Sequence, residues 1–420
     1  MRLLTVGLGG VLMMSAACQE SDEVPIELTP DSGVAGQVSA LDQATLDVLF
    51  VIDNSGSMAT EQQKLAREIP RMVAVLTSGD RYATRESQVP PGLSDKARRF
   101  TPVSSLHVGV VSTNFGGLDE LPYNAQAAIL ACNGTGDGGK LQNSLKIAQE
   151  GVIAQSRSEF VGFEVGQALL TPDPACALPP QPLYQTFDPN IDPAAASLAF
   201  GCAARLGVRG CPFEQPLESM WAALAPSQGQ GELYQFLNGT RGVGDTFNQG
   251  FVRPGAALAV IVLTDEDDCS ITDEGKGLFS LEQEAEAEYG NLNLRCIAFG
   301  QDKTLVHALT RYRDGLLGLK GGRSDRIAFT AIAGFPLDAR TRTPDSILAD
   351  PAMAAQENSR NPGFPYTACS AGLLDEAYPS RRLAEAAKLF PNALTESICA
   401  DSYAPVVDET VNKIAPMMGP

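Results

Sequence analysis

The sequence predicts an α/β fold in which a doubly wound, mostly parallel sheet is flanked by helices and carries long, disulfide-bearing loop insertions. Short apolar runs bounded by polar residues are typical of strands buried in a parallel sheet. They are the segment near 46–52, Leu106–Val111, Leu258–Leu263 and Ile327–Ile332. Segments with apolar residues at helical spacing lie between them. Because strands and helices alternate along the chain, we expect helices on both faces of the sheet.

The first predicted strand leads directly into a turn that is rich in oxygen donors. Asp53 ends the apolar run, and Ser55 and Ser57 follow at alternate positions. In open α/β sheets, ligands bind at the carboxyl ends of the strands. One carboxylate and two hydroxyls are hard oxygen donors that suit Mg²⁺ or a similar cation. Asp and Ser are also ordinary turn and N-cap residues, which is the competing interpretation.

The run Leu258–Leu263 is the clearest buried strand, and an acidic segment follows it. Thr264 is followed by four consecutive acidic residues, 265–268, the first of which is Asp265. Such a run is also typical of a solvated loop. Its position at the carboxyl end of a second strand, like that of Asp53, favours convergence on one cation, which would offset the repulsion among the carboxylates.

Together these two segments resemble the von Willebrand factor type A (VWA) domain family. In that family, Asp-x-Ser-x-Ser after the first strand is the first part of the metal-ion-dependent adhesion site (MIDAS), and a later Thr-Asp turn carries its last aspartate. The resemblance covers roughly 46–416 and implies a Rossmann-like VWA fold. It implies that Asp53, Ser55, Ser57 and Asp265 are metal ligands, directly or through water. The expected cation is Mg²⁺, with Ca²⁺ or Mn²⁺ as alternatives.

One position of the family's metal site departs from the pattern. There, a helix follows a loop that carries a metal-site threonine, but the corresponding segment Cys211–Leu224 contains none. Glu214 stands close to that place, and Glu214 or Gln215 is the expected substitute. Alternatively, Glu214 only caps the helix N-terminus. Thr113, which follows the second predicted strand, is a further candidate.

Apolar residues at helical spacing predict the remaining elements. Pro70 should kink or split the helix after the first turn. The apolar face of that helix consists of Met58, Leu65, Ile69, Met72, Val73 and Leu76. Later segments predict, in order, a helix over Glu282–Tyr289, a possible strand over Leu294–Phe299, helices over Leu305–Leu319 and Arg381–Phe390, a short edge segment over Ser397–Tyr403 and a closing helix over Ala404–Ile414.

The N-terminal residues predict export. Residues 1–17 have the apolar run and small-residue ending of a secretory signal peptide, and this run is too short to span a bilayer. Cys18 follows Ala17 in a pattern that resembles the lipobox of bacterial lipoproteins, which implies a lipid anchor on Cys18. Ser15 departs from that pattern, so plain cleavage after Ala17 is the alternative. The acidic segment 18–45 has little to bury and predicts a flexible tether.

The cysteine count agrees with export. Besides Cys18 there are eight cysteines, and an even number in an oxidising compartment indicates up to four disulfides. They are Cys132, Cys176, Cys202, Cys211, Cys269, Cys296, Cys369 and Cys399. Short loops favour the pairs Cys202–Cys211, Cys269–Cys296 and Cys369–Cys399 among 105 possible pairings. Two histidines and no Cys-x-x-Cys motif argue against a zinc site.

The segment 115–212 is unusually long for a connection between elements. It is rich in Gly, Pro and Cys, which predicts an insertion held by disulfides; a separate second domain is the alternative. Long loops on an α/β scaffold are often functional, so this insertion is a candidate surface for contact with a partner. Residues 134–139 match G-x-G-x-x-G, but no strand precedes them, which excludes a dinucleotide site.

The charge balance restricts the possible partners. Asp and Glu outnumber Lys and Arg by 50 to 31, giving a net charge of −19. A chain this acidic is not expected to bind nucleic acid or anionic lipid headgroups, because both need basic clusters. Contact with the membrane is therefore expected only through the lipid anchor, in the bacterial cell envelope at the outer membrane or the periplasmic face.

The expected function is protein binding rather than catalysis. In the VWA family an acidic side chain of the partner completes the coordination of the cation. One alternative is a structural envelope lipoprotein with a degenerate, empty metal site. A more remote alternative is a phosphatase of the haloacid dehalogenase type, but that chemistry needs a second aspartate two residues after the nucleophile, and Ser55 stands there. No Ser-His-Asp set is indicated either.

Overall fold

The computed structural model describes residues 45–117, 132, 136–142, 200–228, 242–372 and 376–418, together with the backbone of 185–187. All of them belong to one compact unit, Ser39–Pro420. The predicted signal peptide, Cys18, most of the tether, Cys176 and most of the insertion 115–212 lie outside the described residues. Within the described ranges, no helix has the length and apolar character needed to cross a membrane.

The strands form one large sheet and one small sheet. The large sheet contains β1 (Thr45–Ile52), β2 (Ser105–Ser112), β3 (Gln185–Phe187), β4 (Ala257–Leu263), β5 (Ile327–Ala333) and β8 (Ala393–Ser397). The small sheet pairs β6 (Cys369–Ser370) with β7 (Glu376–Ala377) in antiparallel fashion. The four apolar runs that predicted strands all lie in the large sheet, which confirms them.

The order of the large sheet is β3-β2-β1-β4-β5-β8. Five neighbouring strands are parallel, and only β3 is antiparallel, at the edge beside β2. The chain winds outward from β1 to β3 in one direction and from β4 to β8 in the other. The direction of winding therefore reverses between β1 and β4. At such a switch point, loops leave neighbouring strands toward opposite faces and open a crevice where ligands bind.

Helices cover both faces of this sheet, as the alternating pattern predicted. The helices of the described residues are α1 (Ala59–Ser78), α2 (Asp95–Arg98), α3 (Pro216–Leu224), α4 (Gln283–Tyr289), α5 (Leu292–Phe299), α6 (Leu309–Leu319), α7 (Pro344–Leu348), α8 (Arg381–Ala387) and α9 (Ala404–Ile414). Residues 200–203 are also helical. Side chains of β1 alternate between two cores. Val48 and Phe50 pack with residues of α1 and α9, whereas Leu49 and Val51 pack with residues of α3, α6 and α8.

Three predicted elements differ from the structure. Leu294–Phe299 is not a strand but part of α5. Here Arg295 interrupts the apolar run and its guanidinium donates to the backbone carbonyls of Gly277, Leu278 and Ser280. The predicted edge segment Ser397–Tyr403 begins where the actual edge strand, β8, ends. The residues of β8, Ala393–Ser397, are the ones that pair with β5. Pro70 does not split α1, which is continuous over Ala59–Ser78.

The start of α6 also differs from the predicted Leu305. Val306 instead pairs with Ile271 in an antiparallel bridge, and the His307 amide donates to the Ser270 carbonyl at 2.9 Å. These contacts hold the chain extended, so α6 begins at Leu309.

Three disulfides are seen among the described residues. Cys269–Cys296 and Cys369–Cys399 confirm two predicted pairs. The predicted pair Cys202–Cys211 is wrong, because Cys211 is bonded to Cys132, 79 residues away in the sequence. Cys202 is disulfide-bonded as well. Sequence proximity failed here because the two ends of the long insertion meet in space, with Cα atoms of Cys132 and Cys211 only 4.7 Å apart.

Candidate functional site

The candidate site lies at the switch point, where the turn after β1 meets the turn after β4. The Asp53 amide donates to the Leu263 carbonyl at 2.8 Å, and the Thr264 amide donates to the Ile332 carbonyl at 3.2 Å. These bonds continue the sheet ladder by one residue. Asp53 and the Thr264–Asp265 turn are consequently held side by side at the carboxyl edge of the sheet.

Asp53 is fully buried, and both of its carboxylate oxygens accept hydrogen bonds. Oδ1 accepts from the Ser55 amide at 2.7 Å, and Oδ2 accepts from the Thr264 hydroxyl at 2.8 Å. The hydroxyls of Ser55 and Ser57 lie 3.4 Å apart. Ser55 is buried whereas Ser57 is exposed. The turn thus aims two adjacent hydroxyls to one side of a fixed carboxylate.

Asp265 reaches the same turn from β4. Its carboxylate lies close to the Ser57 hydroxyl and to the side chain of Asp53. The other oxygen, Oδ1, is buried and has no hydrogen-bond partner. Burial, followed by the repulsion from Asp53, raises the pKa of Asp265 well above its ordinary value. Burial is also the main cause of the raised pKa of Asp53.

Glu214 also lies in this group of carboxylates. It is 1% exposed, and its Oε1 has no hydrogen-bond partner. Its side chain lies close to that of Glu266, which is half-buried. Burial and then the charges of Glu266, Asp53 and Asp265 raise the pKa of Glu214 well above its ordinary value. Burial and the charge of Asp53 raise the pKa of Glu266 to about 7.

Gln215 and Thr113 are the other candidates to replace the missing threonine. They differ in whether the side-chain oxygen is free to bind a cation. The amide of the Gln215 side chain donates to the Gly116 carbonyl at 2.8 Å, and its oxygen accepts from the Ile271 amide at 3.3 Å. Gln215 is therefore committed to the backbone. Thr113, at the end of β2, keeps its hydroxyl buried without a hydrogen-bond partner, while its carbonyl accepts from the Gln215 amide at 3.0 Å.

The loop that carries Glu214 is fastened to the Asp53 turn. The Gly210 amide donates to the Asn54 carbonyl at 2.6 Å, and the Gln62 side chain bridges the carbonyls of Asp53 and Gly207 at 2.7 and 2.9 Å. A Cβ added at Gly210 would lie 2.0 Å from Asn54 Oδ1, so only glycine permits this approach. The contact positions Glu214 relative to the Asp53 turn before α3 begins.

The four consecutive acidic residues serve two purposes. Asp265 and Glu266 face the site, but Asp267 Oδ1 accepts from the amides of Arg382 and Asp268 at 2.8 and 2.9 Å. Asp268 pairs with the Arg382 guanidinium at 2.9 Å and accepts from the Leu217 amide at 3.0 Å. Asp267 and Asp268 therefore bind the amino ends of α8 and α3. The run is not a solvated loop.

The donor set fits a hard cation if hydroxyls are included. In the part of the chain that the structure describes, no three His, Cys, Asp or Glu side chains are grouped so as to hold a metal ion by themselves. The switch point nevertheless collects buried oxygens without hydrogen-bond partners, among them those of Thr113, Glu214 and Asp265. Buried polar atoms are rarely left unpaired, and Mg²⁺ and Ca²⁺ prefer oxygen ligands.

Sequence reasoning missed one residue of this site. Glu266 was treated only as part of the acidic run, although its position directly after Asp265 was a usable signal. Comparison of the chain with protein-family models, curated proteins and solved structures finds no match. The geometry of the switch point is therefore the basis for assigning a function.

Proposed function

We propose that this chain is an exported VWA-type lipoprotein that binds a protein partner through a divalent cation held in a MIDAS-like site. Asp53, Ser55, Ser57 and Asp265 are the ligands in this proposal, directly or through water. Glu214 or Thr113 replaces the threonine of the family pattern. An acidic side chain of the partner completes the coordination of the bound cation. No catalytic activity is proposed.

The observation that carries this proposal is the set of unpaired oxygens in a group of buried carboxylates. The charges that raise the pKa values of Glu214 and Asp265 are those of other carboxylates. Burying like charges together is costly unless a cation compensates them. A divalent cation would do so and would use the free oxygens of Thr113, Glu214 and Asp265. The sheet order and the position at the switch point are compatible with this function.

Cation binding is expected to stabilise the purified protein. Titration with MgCl₂ and CaCl₂, followed by calorimetry and thermal unfolding, should give saturable heat and a higher Tm. At a free cation concentration of about 100 times Kd, the expected stabilisation is about 2.7 kcal/mol. A chelator should reverse it. NaCl at matched ionic strength is the control, because a chain with a net charge of −19 also responds to simple screening.

For the proposal to stand, MgCl₂ or CaCl₂ must raise the Tm more than NaCl does at the same ionic strength. If NaCl at matched ionic strength reproduces the whole effect and calorimetry detects no binding heat, the site holds no cation. The chain is then the structural envelope lipoprotein of the alternative interpretation. If the divalent cation acts specifically, partner capture from envelope extracts should also depend on it, since the partner's carboxylate binds to the metal.

The proposed localisation rests on the N-terminal pattern, and the disulfides support it. Disulfides persist in oxidising compartments, and three of them are seen among the described residues. The lipid anchor on Cys18 belongs to the same proposal. Most of the segment 115–212, the candidate contact surface, lies outside the described residues.

Lipidation at Cys18 is testable by metabolic labelling with an alkyne-tagged fatty acid in a bacterial host. We expect the wild type to be labelled and Cys18→Ser to lose the label entirely, because the acylated sulfur is removed. Ser15→Leu restores the aliphatic residue of the lipobox and should be labelled at least as strongly as the wild type. An unlabelled wild type beside a labelled Ser15→Leu variant would show that the natural signal is cleaved without lipidation.

A further inference from the structure

A cavity of about 250 Å³ opens directly beside the switch point. Glu214 and Glu266 contribute to its lining, so it borders the group of carboxylates described above. Its walls are mainly apolar and include Phe213, Ile297 and Phe364, together with the Cys269–Cys296 disulfide. We call it the acidic cavity. Its size suits one large side chain rather than an extended ligand.

The walls of the acidic cavity are built as a defined surface. The ring of Phe213 stacks on that of Phe279 with centroids 4.6 Å apart. Phe364 stacks against Tyr378, another lining residue, at 6.5 Å. Phe364 is 37% exposed, so this wall of the cavity is open to solvent.

Apart from the phenol of Tyr378, the ionisable groups of the acidic cavity are all carboxyl groups. Glu214, Glu266 and Asp267 line it, and none of its described lining residues is Lys, Arg or His. Asp267 is bound to backbone amides. Glu214 is 1% exposed and keeps Oε1 without a hydrogen-bond partner. The cavity therefore presents the half-buried carboxyl group of Glu266 to whatever enters it.

We propose that the acidic cavity binds a lysine or arginine side chain of the protein partner. The cationic group pairs with Glu266, and the aliphatic stem lies against the apolar walls. Aromatic rings favour a cation over their faces, and long basic side chains bury their stems while keeping the charge paired. The assignment to the same partner rests on the proposed function, because the cavity adjoins the cation site. The partner thus presents an acidic and a basic side chain close together.

Other occupants fit the acidic cavity less well. An acidic side chain would meet only other carboxyl groups there and no positive charge to pair with. A purely apolar side chain would fill the volume but would remove water from these carboxylates without pairing them, which is unfavourable. A basic side chain satisfies the apolar walls and the charge together.

The test uses N-acetyl-argininamide and N-acetyl-lysinamide as probes of the purified full-length protein. Saturation-transfer NMR of the probe detects binding with a Kd of about a millimolar, which is appropriate to one side chain. N-acetyl-norleucinamide, of similar length without charge, is the matched probe. Glu266→Gln should weaken binding of both basic probes roughly ten-fold. Glu284→Gln, at an exposed position of α4, is the control variant and should leave it unchanged.

Ile297→Trp provides a second variant, because it fills the acidic cavity from α5 without changing its charge; it should abolish binding of the probes. The proposal is overturned if neither basic probe gives saturable binding, if norleucinamide binds equally well, or if both variants bind like the wild type. Repeating the titration on Asp53→Asn without divalent cation separates the two proposals. Probe binding by that variant supports the acidic cavity even if the wild type binds no Mg²⁺, whereas loss of probe binding there refutes it.

Discussion

Asp53→Asn is expected to lower the affinity for Mg²⁺ or Ca²⁺ at least roughly 100-fold. Unit charges about 4 Å apart interact by about 4 kcal/mol at an effective dielectric constant of 20, and each 1.4 kcal/mol is about ten-fold in affinity. Asn keeps an oxygen that accepts from the Ser55 amide or the Thr264 hydroxyl. The loss of affinity therefore reports the charge of the ligand rather than the shape of the turn. Calorimetry measures it directly.

The same variant is expected to be relatively more stable than the wild type as the pH rises in metal-free buffer. Burial raises the pKa of Asp53 above its ordinary value of 3.8. Ionising this carboxyl is therefore less favourable in the folded than in the unfolded protein, and the cost grows as the pH rises from the unfolded pKa toward the folded pKa. Asn carries no charge and avoids this cost.

Urea unfolding in chelator at about pH 5 and about pH 8 measures this difference. Asp273→Asn, at a side chain that is 81% exposed, is the charge-matched control and should show neither effect. Unchanged cation affinity in Asp53→Asn would contradict the assignment of Asp53 as a ligand. A stability difference that does not rise with pH would contradict the burial of an ionised Asp53 in the metal-free protein.

Arg382→Met is expected to lower the free energy of unfolding by about 3–5 kcal/mol, because it leaves a buried carboxylate without its partner. The Arg382 side chain is 3% exposed and pairs at 2.9 Å with Asp268, which is fully buried. The same guanidinium donates to the carbonyls of Gly300 and His307 at 2.7 and 2.8 Å. Methionine replaces the aliphatic stem, so the change isolates the loss of the charge and its hydrogen bonds.

Arg381→Met is the matched control on the same helix. Arg381 is only half-buried, and we expect a change within about 1 kcal/mol. Folded Arg382→Met should keep the cation affinity of the wild type, since Asp267 and Asp268 lie outside the proposed donor set. Equal costs for both variants would show that Asp268 does not depend on Arg382, and a lost cation affinity would place the Asp267–Asp268 segment within the cation site.

Residues that the sequence placed after separate strands lie close together in the structure. Asp53 and Asp265 were assigned from their positions after apolar runs, and the structure brings them together because β1 and β4 are neighbours. Glu214 was chosen only as a residue near the place of a missing threonine, yet it lies in the same group of carboxylates. Gln215 was an equal candidate in the sequence. In the structure, the Gln215 side chain is hydrogen-bonded to Gly116 and Ile271, so it is no longer a candidate ligand.

The sequence by itself determined the local elements of this protein. Continuous apolar runs identify buried strands, because both faces of a parallel sheet are covered. Polar residues that follow two such runs identify the carboxyl edge of the sheet, which is where open α/β sheets generally bind ligands. Where the apolar run was short and interrupted, as in α5, helix and strand were indistinguishable by period, and the prediction was wrong.

Tertiary structure decided which partners these elements meet. It divided the four acidic residues between the candidate cation site and the ends of two helices, because their side chains leave the turn in different directions. It paired Cys211 with Cys132 rather than with the nearer Cys202. It also formed the acidic cavity from segments distant in the sequence, among them Phe213, Ile297 and Phe364. Such contacts depend on how the chain packs in three dimensions, which local pattern and spacing do not encode.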